Sequence, residues 1–349
     1  MSDASYREIF LGGAPKSGTT LLLALLEAHP DLLVLPEETA LFNRAILRVG
    51  ATDTRALARC LLQETEVKRL SERGAPPAHP GEAENQVDYA SFNYPAFEQN
   101  FLGRVEANLS GGPRHVLQSL FRAYAETVVP PRPAARALVE KTPANDYFAP
   151  WLFKYFPAAK LVQVVRDPRA VYASRRRRLL NRDRRHTKAF RLVNEWNRSV
   201  WQRFAQKPHP ERFLSVRYED LVTDPRAVVG QVCAFIGVDA GALSFKPTRG
   251  GQAWAGNSSY GENFSDVSRE SLDRWKHELS AAEVAWIEYH CQAGMRECGY
   301  EIATDLSSPA KNLQAWLHRV PHESWPGYFK ARRGSLCWHL FPHYVMRPH

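Results

Sequence analysis

Residues 9–20 read Ile-Phe-Leu-Gly-Gly-Ala-Pro-Lys-Ser-Gly-Thr-Thr, and a helix-like stretch, Leu21 to Ala28, follows directly. A short apolar run ends in a glycine-rich turn that opens a helix. Backbone N–H groups of such a loop point at an anion, and the helix N-terminus adds partial positive charge. The common phosphate-loop pattern G-x-x-x-x-G-K-[ST] puts Lys after the second glycine. Here Gly13 and Gly18 keep the spacing, but Thr19 and Thr20 follow, and the lysine is Lys16, inside the loop. The loop therefore reads as a cradle for a phosphate-like group without the usual ATP–magnesium machinery.

Outward from this loop, short apolar runs alternate with helical periodicity. Strands are expected at Ile9–Gly12, Leu32–Leu35, Leu138–Lys141, Leu161–Val165 and Phe213–Val216. Helical patterns lie between them, including 40–70, 97–110, 113–128, 168–180, 187–206 and 225–236, with later ones near 268–278 and 280–298. Asp167 and Pro168 suit the N-cap and first turn of the 168–180 helix, and Gly237 suits a helix end. The alternation predicts an α/β fold, a P-loop-type parallel sheet flanked by helices on both faces. In such sheets ligands sit beyond the carboxyl ends of the strands. Lys16, Glu38, Lys141, Arg166 and Tyr218 all follow strands. The expected organisation is one domain over 1–304, with a Gly/Pro-rich lid at 71–95 and a C-terminal extension at 305–349 packing on it.

The net charge is +9, and part of the excess is Arg175–Arg178 with Arg182, Arg184 and Arg185. Such a cluster suggests an anionic ligand, an acidic acceptor, a membrane surface or nucleic acid. With no zinc pattern or RNP-like stretch, nucleic acid is not expected as a partner. Five scattered cysteines without a C-x-x-C suit reduced thiols. No apolar run is long enough for a leader or a membrane span, so a soluble, cytoplasmic chain is expected. No His/Cys/Asp cluster has metal spacing, and no metal is expected.

Gly13-Ala-Pro-Lys-Ser-Gly-Thr-Thr20, with Arg166-Asp-Pro-Arg-Ala-Val-Tyr-Ala-Ser174 about 150 residues later, resembles the sulfotransferases that use 3′-phosphoadenosine 5′-phosphosulfate (PAPS). The segment Ala28-His-Pro-Asp31 to Glu37-Glu-Thr39 is similar to the tyrosylprotein sulfotransferase branch and its bacterial relatives. The resemblance runs discontinuously from about 9 to 300. It implies PAPS as co-substrate and its desulfated form, 3′-phosphoadenosine 5′-phosphate (PAP), as product.

The resemblance also implies roles. Lys16, Ser17, Gly18, Thr19 and Thr20 match the 5′-phosphosulfate loop, and Lys16 stands where the family often has Arg beside the transferring group. Arg166 and Ser174 match the 3′-phosphate motif; a charge-assisted guanidinium contact and a hydroxyl suit that end of the donor. Glu38 aligns with the catalytic base, with its neighbour Glu37 as rival. Lys141, in Glu140-Lys-Thr-Pro143, matches the lysine that steadies the bridging oxygen. Arg178, Tyr218, Ser259 and Arg274 match further cofactor positions. The glycine-rich R-K-G-x-x-G element of the cytosolic phenol-directed enzymes is absent.

The expected reaction is sulfuryl transfer from PAPS to an acceptor hydroxyl of a peptide tyrosine, carbohydrate, lipid or small molecule. The alternative is a P-loop kinase or nucleotide phosphotransferase. That class needs Lys at position 19 and a magnesium-holding acid at a strand end, where this chain has Thr19 and Arg166. A third class is a binding protein without activity on the same fold. Oligomeric state is not legible, and a homodimer is admissible.

Overall fold

Leu-, Val- and Ile-rich runs become five parallel strands: β1 (Arg7–Gly12), β2 (Leu32–Val34), β3 (Ala137–Lys141), β4 (Lys160–Val165) and β5 (Phe213–Arg217), in the order β2-β3-β1-β4-β5. This is a computed structural model, and it describes residues 6–72, 87–128, 135–180, 189–254, 256, 267–308, 310–311 and 314–315. These fall in two compact units, one within 1–165 and 202–269, the other within 166–201 and 270–349. The sheet belongs to the first unit.

The fold is the α/β class expected from the sequence, and both sheet faces are covered. Strand alternation sends Phe10, Leu138 and Leu161 into a core built with the helices Thr54–Glu64, Tyr94–Glu106, Gly112–Thr127 and Ala149–Tyr155. Phe10 meets Phe156 edge-on at 5.0 Å between ring centroids, an arrangement suited to ring quadrupoles. Ile9 and Leu11 point to the opposite face and are equally buried. The helices Thr19–Leu26 and Pro225–Ile236 pack with that side of the sheet.

Local signals act where expected. Gly237 ends the 225–236 helix at φ +78, and the Asp224 side chain caps its start. In the second unit Asp167 Oδ1 accepts the Arg169 N–H at 2.8 Å as the Pro168–Leu180 helix begins. The 40–70 stretch is more broken than its periodicity suggests. A π-turn spans Leu41–Ile46, then an α-helix Thr54–Glu64 and a 3-10 turn Glu66–Ser71. A short hairpin, β6 (Thr248–Arg249) with β7 (Gln252–Ala253), and a helix at Tyr218–Thr223 were not anticipated. The expected helix at 268–278 reduces to Trp275–Glu278.

Cys60, Cys233, Cys291 and Cys298 are buried and unpaired with one another, and burial pushes the Cys233 thiol up to about 11. No described helix is long and apolar enough to cross a membrane. Residues 73–86 of the expected lid, 316–349 of the extension, and Ser259, Arg182, Arg184 and Arg185 lie outside the described residues.

Candidate active site

The loop after β1 is built for close approach. Gly13 adopts φ +146, and a Cβ there would lie 2.3 Å from the Val164 carbonyl oxygen. Its N–H donates to the Pro143 carbonyl at 2.8 Å, which moors the loop to the segment after β3. Lys16 takes a left-handed φ of +76, a strained conformation for a residue with a Cβ. Gly18 caps the Thr19–Leu26 helix at φ +99 without a side-chain cap, and the helix has no acidic residue in its first turn. The first-turn amides of such a helix lack intrahelical partners. Ser17 is 1% exposed, and its Oγ has no hydrogen-bond partner among the described residues. An uncapped helix start with an unpartnered buried hydroxyl suits an anion.

Tyr218, at the end of β5, closes one side of the loop. A Cβ on Gly18 would fall 2.3 Å from Tyr218 Cδ2 and 2.8 Å from Cε2. The structure thus brings together Lys16–Thr20 and Tyr218, six of the residues that the sequence singled out.

The acidic pair after β2 divides in two. Glu37 is 3% exposed and turned inward: Tyr89 Oη donates to it at 3.0 Å, with Arg249 at 3.5 Å and Arg69 at 3.6 Å. Burial and the Glu37 carboxylate together push the Tyr89 phenol well above its usual range. Glu38 instead meets Lys141, with Nζ donating to Oε1 at 2.5 Å; their side chains are 35% and 4% exposed. Lys141 lies in register with Leu11 in the neighbouring strand, so this pair sits at the carboxyl edge of the sheet next to the loop. Glu37 is committed to a structural cluster, whereas Glu38 faces the buried lysine.

Other groups resolve into framework. His29 uses both ring nitrogens, Nε2 toward the Asp239 carbonyl at 2.9 Å and Nδ1 accepting from the Asp31 N–H at 3.1 Å. Arg249 donates to the Pro36 carbonyl at 3.3 Å, and Glu27 accepts from the Gly250 N–H at 2.7 Å. These contacts fasten the β6–β7 hairpin beside the acidic pair. Sequence reasoning passed over this hairpin and over Glu140, which follows the apolar run Ala137-Leu138-Val139 and directly precedes Lys141.

The second unit carries the other motif. Arg166 is 8% exposed; its Nη2 donates to the Ser271 carbonyl at 2.8 Å, and its own carbonyl accepts from Trp196 Nε1 at 2.8 Å. Ser174 is buried, Arg178 exposed, and Arg274 partly exposed at the start of the Trp275–Glu278 turn. Arg169, two residues past Asp167, is structural. It pairs with Asp167 and Glu288 at 2.6 Å each and stacks 4.1 Å over the Trp275 ring. Arg175 pairs with Glu195, and Arg176 with Glu283 at 2.5 Å, so two members of the arginine run act as struts within this unit.

The model of the family described as "Sulfotransferase family" matches residues 8–241. Carbohydrate sulfotransferase 5 of Mus musculus is 31% identical over 190 residues, which cover 46% of this chain and 46% of the mouse protein. Protein-tyrosine sulfotransferase 1 of Danio rerio is 28% identical over 233 residues, covering 66% of this chain and 53% of the fish protein. The chain spans about half the length of the curated relatives it matches. Among solved structures, the sulfotransferase domain from the curacin biosynthetic pathway superposes with a TM-score of 0.52 at 22% identity, over 85% of this chain and 99% of that domain. At that identity the likeness speaks for the fold.

Proposed function

We infer the activity from the fact that the chain belongs to the sulfotransferase family: it transfers a sulfuryl group from PAPS to an acceptor hydroxyl by in-line displacement. The observation that carries this reading is the Glu38–Lys141 contact at 2.5 Å, set at the sheet edge beside a loop with an uncapped helix start. Bound PAPS would supply an activated sulfuryl group on a phosphate leaving group.

The residues divide the work. Loop amides of 18–20, the Ser17 hydroxyl and Lys16 bind the 5′-phosphosulfate end. Arg166 and Ser174 bind the 3′-phosphate, with Tyr218, Arg178, Arg274 and Ser259 as further donor contacts. Glu38 accepts the acceptor's hydroxyl proton as its oxygen bonds to sulfur. Lys141 brings positive charge toward the phosphate oxygen that takes the electron pair of the breaking S–O bond. Electrostatics and positioning of this kind carry most of the barrier reduction in such displacements.

Relatives named for carbohydrate and for protein tyrosine make these two hydroxyl classes the first acceptors to try. The test is transfer of label from radiolabelled PAPS to panels of oligosaccharides and tyrosine peptides. PAPS-dependent labelling that disappears in Glu38→Gln supports the reading. Magnesium-dependent turnover of ATP, with none of PAPS, overturns it in favour of a phosphotransferase.

A further inference from the structure

Glu140 is a carboxylate in the sheet interior, 1% exposed on β3, in register with Phe10. No ion pair joins it to a cation among the described residues. It is held by neutral donors alone. Its Oε1 accepts from the Thr39 N–H at 3.2 Å, the Thr39 hydroxyl at 2.8 Å and the Thr142 hydroxyl at 2.7 Å. Its Oε2 accepts from the Asn145 amide at 2.5 Å, and that amide also donates to the Leu11 carbonyl at 3.0 Å. Burial raises the Glu140 carboxyl above its usual range, and the bonds from Asn145, Thr142 and Thr39 pull the other way. An apolar side chain would fit an interior strand position at lower cost.

The partners indicate what the carboxylate achieves. Thr39 and Thr142 flank the Glu38–Lys141 pair in sequence, one residue beyond each member. A carboxylate accepts only, so both hydroxyls must donate to it, and each oxygen is left to accept. The Thr142 oxygen accepts from the Ala40 N–H at 3.0 Å, and the Thr39 oxygen from the Leu41 N–H at 3.4 Å. Ala40 is the corner at φ +46, where the chain turns sharply after Glu38. A left-handed alanine persists only when its surroundings over-determine it. Glu140 supplies that determination through two oriented hydroxyls and the Thr39 amide.

We propose that Glu140 is a positioning residue that clamps the 38–40 corner to the end of β3 and so sets the Glu38 carboxylate on the Lys141 ammonium. Its catalytic consequence rests on the sulfuryl-transfer reading above; its geometric content does not. Glu140→Gln keeps the shape but adds an N–H donor. That donor must face either the Thr39/Thr142 donors or the Asn145 amide, which Leu11 fixes in orientation.

The test pairs crystal structures with steady-state kinetics. In Glu140→Gln, and independently in Thr142→Val should the first variant fail to fold, the Glu38–Lys141 contact is lost, whereas Thr142→Ser keeps it. A displacement near 1 Å lowers kcat about 100-fold, while the KM for PAPS stays within about threefold, because these residues lie outside the phosphate loop. A merely structural clamp would lower the melting temperature without this kcat-only effect. Glu140→Gln with the Glu38–Lys141 contact intact overturns the inference, whether or not the chain transfers sulfuryl groups. Loss of the contact in a chain that transfers no sulfuryl group upholds the clamp and removes the reaction.

Discussion

Gly18→Ala tests the phosphate loop in the terms that the geometry sets. Two costs add. The residue must hold φ +99, outside the range of ordinary L side chains, which costs about 1–2 kcal/mol. The new methyl would also stand 2.3 Å from Tyr218 Cδ2, so the ring, or the loop, must yield. Overpacking of that kind costs about 1–3 kcal/mol. The expected destabilisation is therefore about 2–5 kcal/mol, measured by urea unfolding. Binding should suffer separately, because a loop that moves to relieve the contact withdraws its amides from the phosphate. Loss of one charge-assisted hydrogen bond, about 1.5–3 kcal/mol, weakens PAP binding roughly 10- to 150-fold, read by calorimetry. The double variant Gly18→Ala/Tyr218→Ala separates the two costs, since it removes the ring but not the strain at φ +99. Measured against Tyr218→Ala alone, which carries the cost of truncating that buried ring, the added Gly18→Ala should lose only the strain share, about 1–2 kcal/mol. A single variant with unchanged stability and PAP affinity within threefold of wild type would refute the reasoning about both the loop and Tyr218.

Other expectations follow from the same geometry. Glu38→Gln should lower kcat by about 10²- to 10⁴-fold, the contribution typical of a positioned base, with PAP affinity nearly unchanged; equal activity would transfer the base role elsewhere. Tyr89→Phe removes a hydrogen bond to the Glu37 carboxylate, worth about 1.5–3 kcal/mol, and should also flatten the alkaline limb of stability. The Tyr89 phenol is raised in the folded state. Its contribution is therefore complete below the unfolded value near 10.0 and is lost as pH climbs toward the folded one. An unaltered limb in pH-dependent unfolding would contradict that. Arg169→Ala breaks the buried pairs to Asp167 and Glu288. It should cost about 3–5 kcal/mol by unfolding, and a fully stable variant would refute the strut assignment.

Much of the fold was legible because strand and helix periods differ and the punctuation is strong. The five strands fall within one or two residues of the apolar runs that predicted them. Pro168 and Gly237 mark the helix start and end that their chemistry demands. The loop was legible through its glycines, and Lys16 through its place between them. What escaped depended on contacts distant in sequence. The buried cluster around Glu37 depends on Tyr89, Arg69 and Arg249, none of which adjoins it in the chain. The β6–β7 hairpin consists of two residues per strand, too short for a period-two pattern to register. The π-turn at Leu41–Ile46 follows from the Ala40 corner, which Glu140 enforces from a strand about 100 residues later. The sequence marked Arg175 and Arg176 as a basic patch, but their acidic partners on other helices make them internal struts.

The most direct test of the central claim is calorimetric titration of PAP into wild type and Arg166→Ala, with thermal melts confirming that both are folded. The account predicts measurable binding by wild type. It predicts roughly 10- to 150-fold weaker binding by the variant, the share of one charge-assisted contact. Equal binding by the two proteins, or none by a folded wild type, would contradict it.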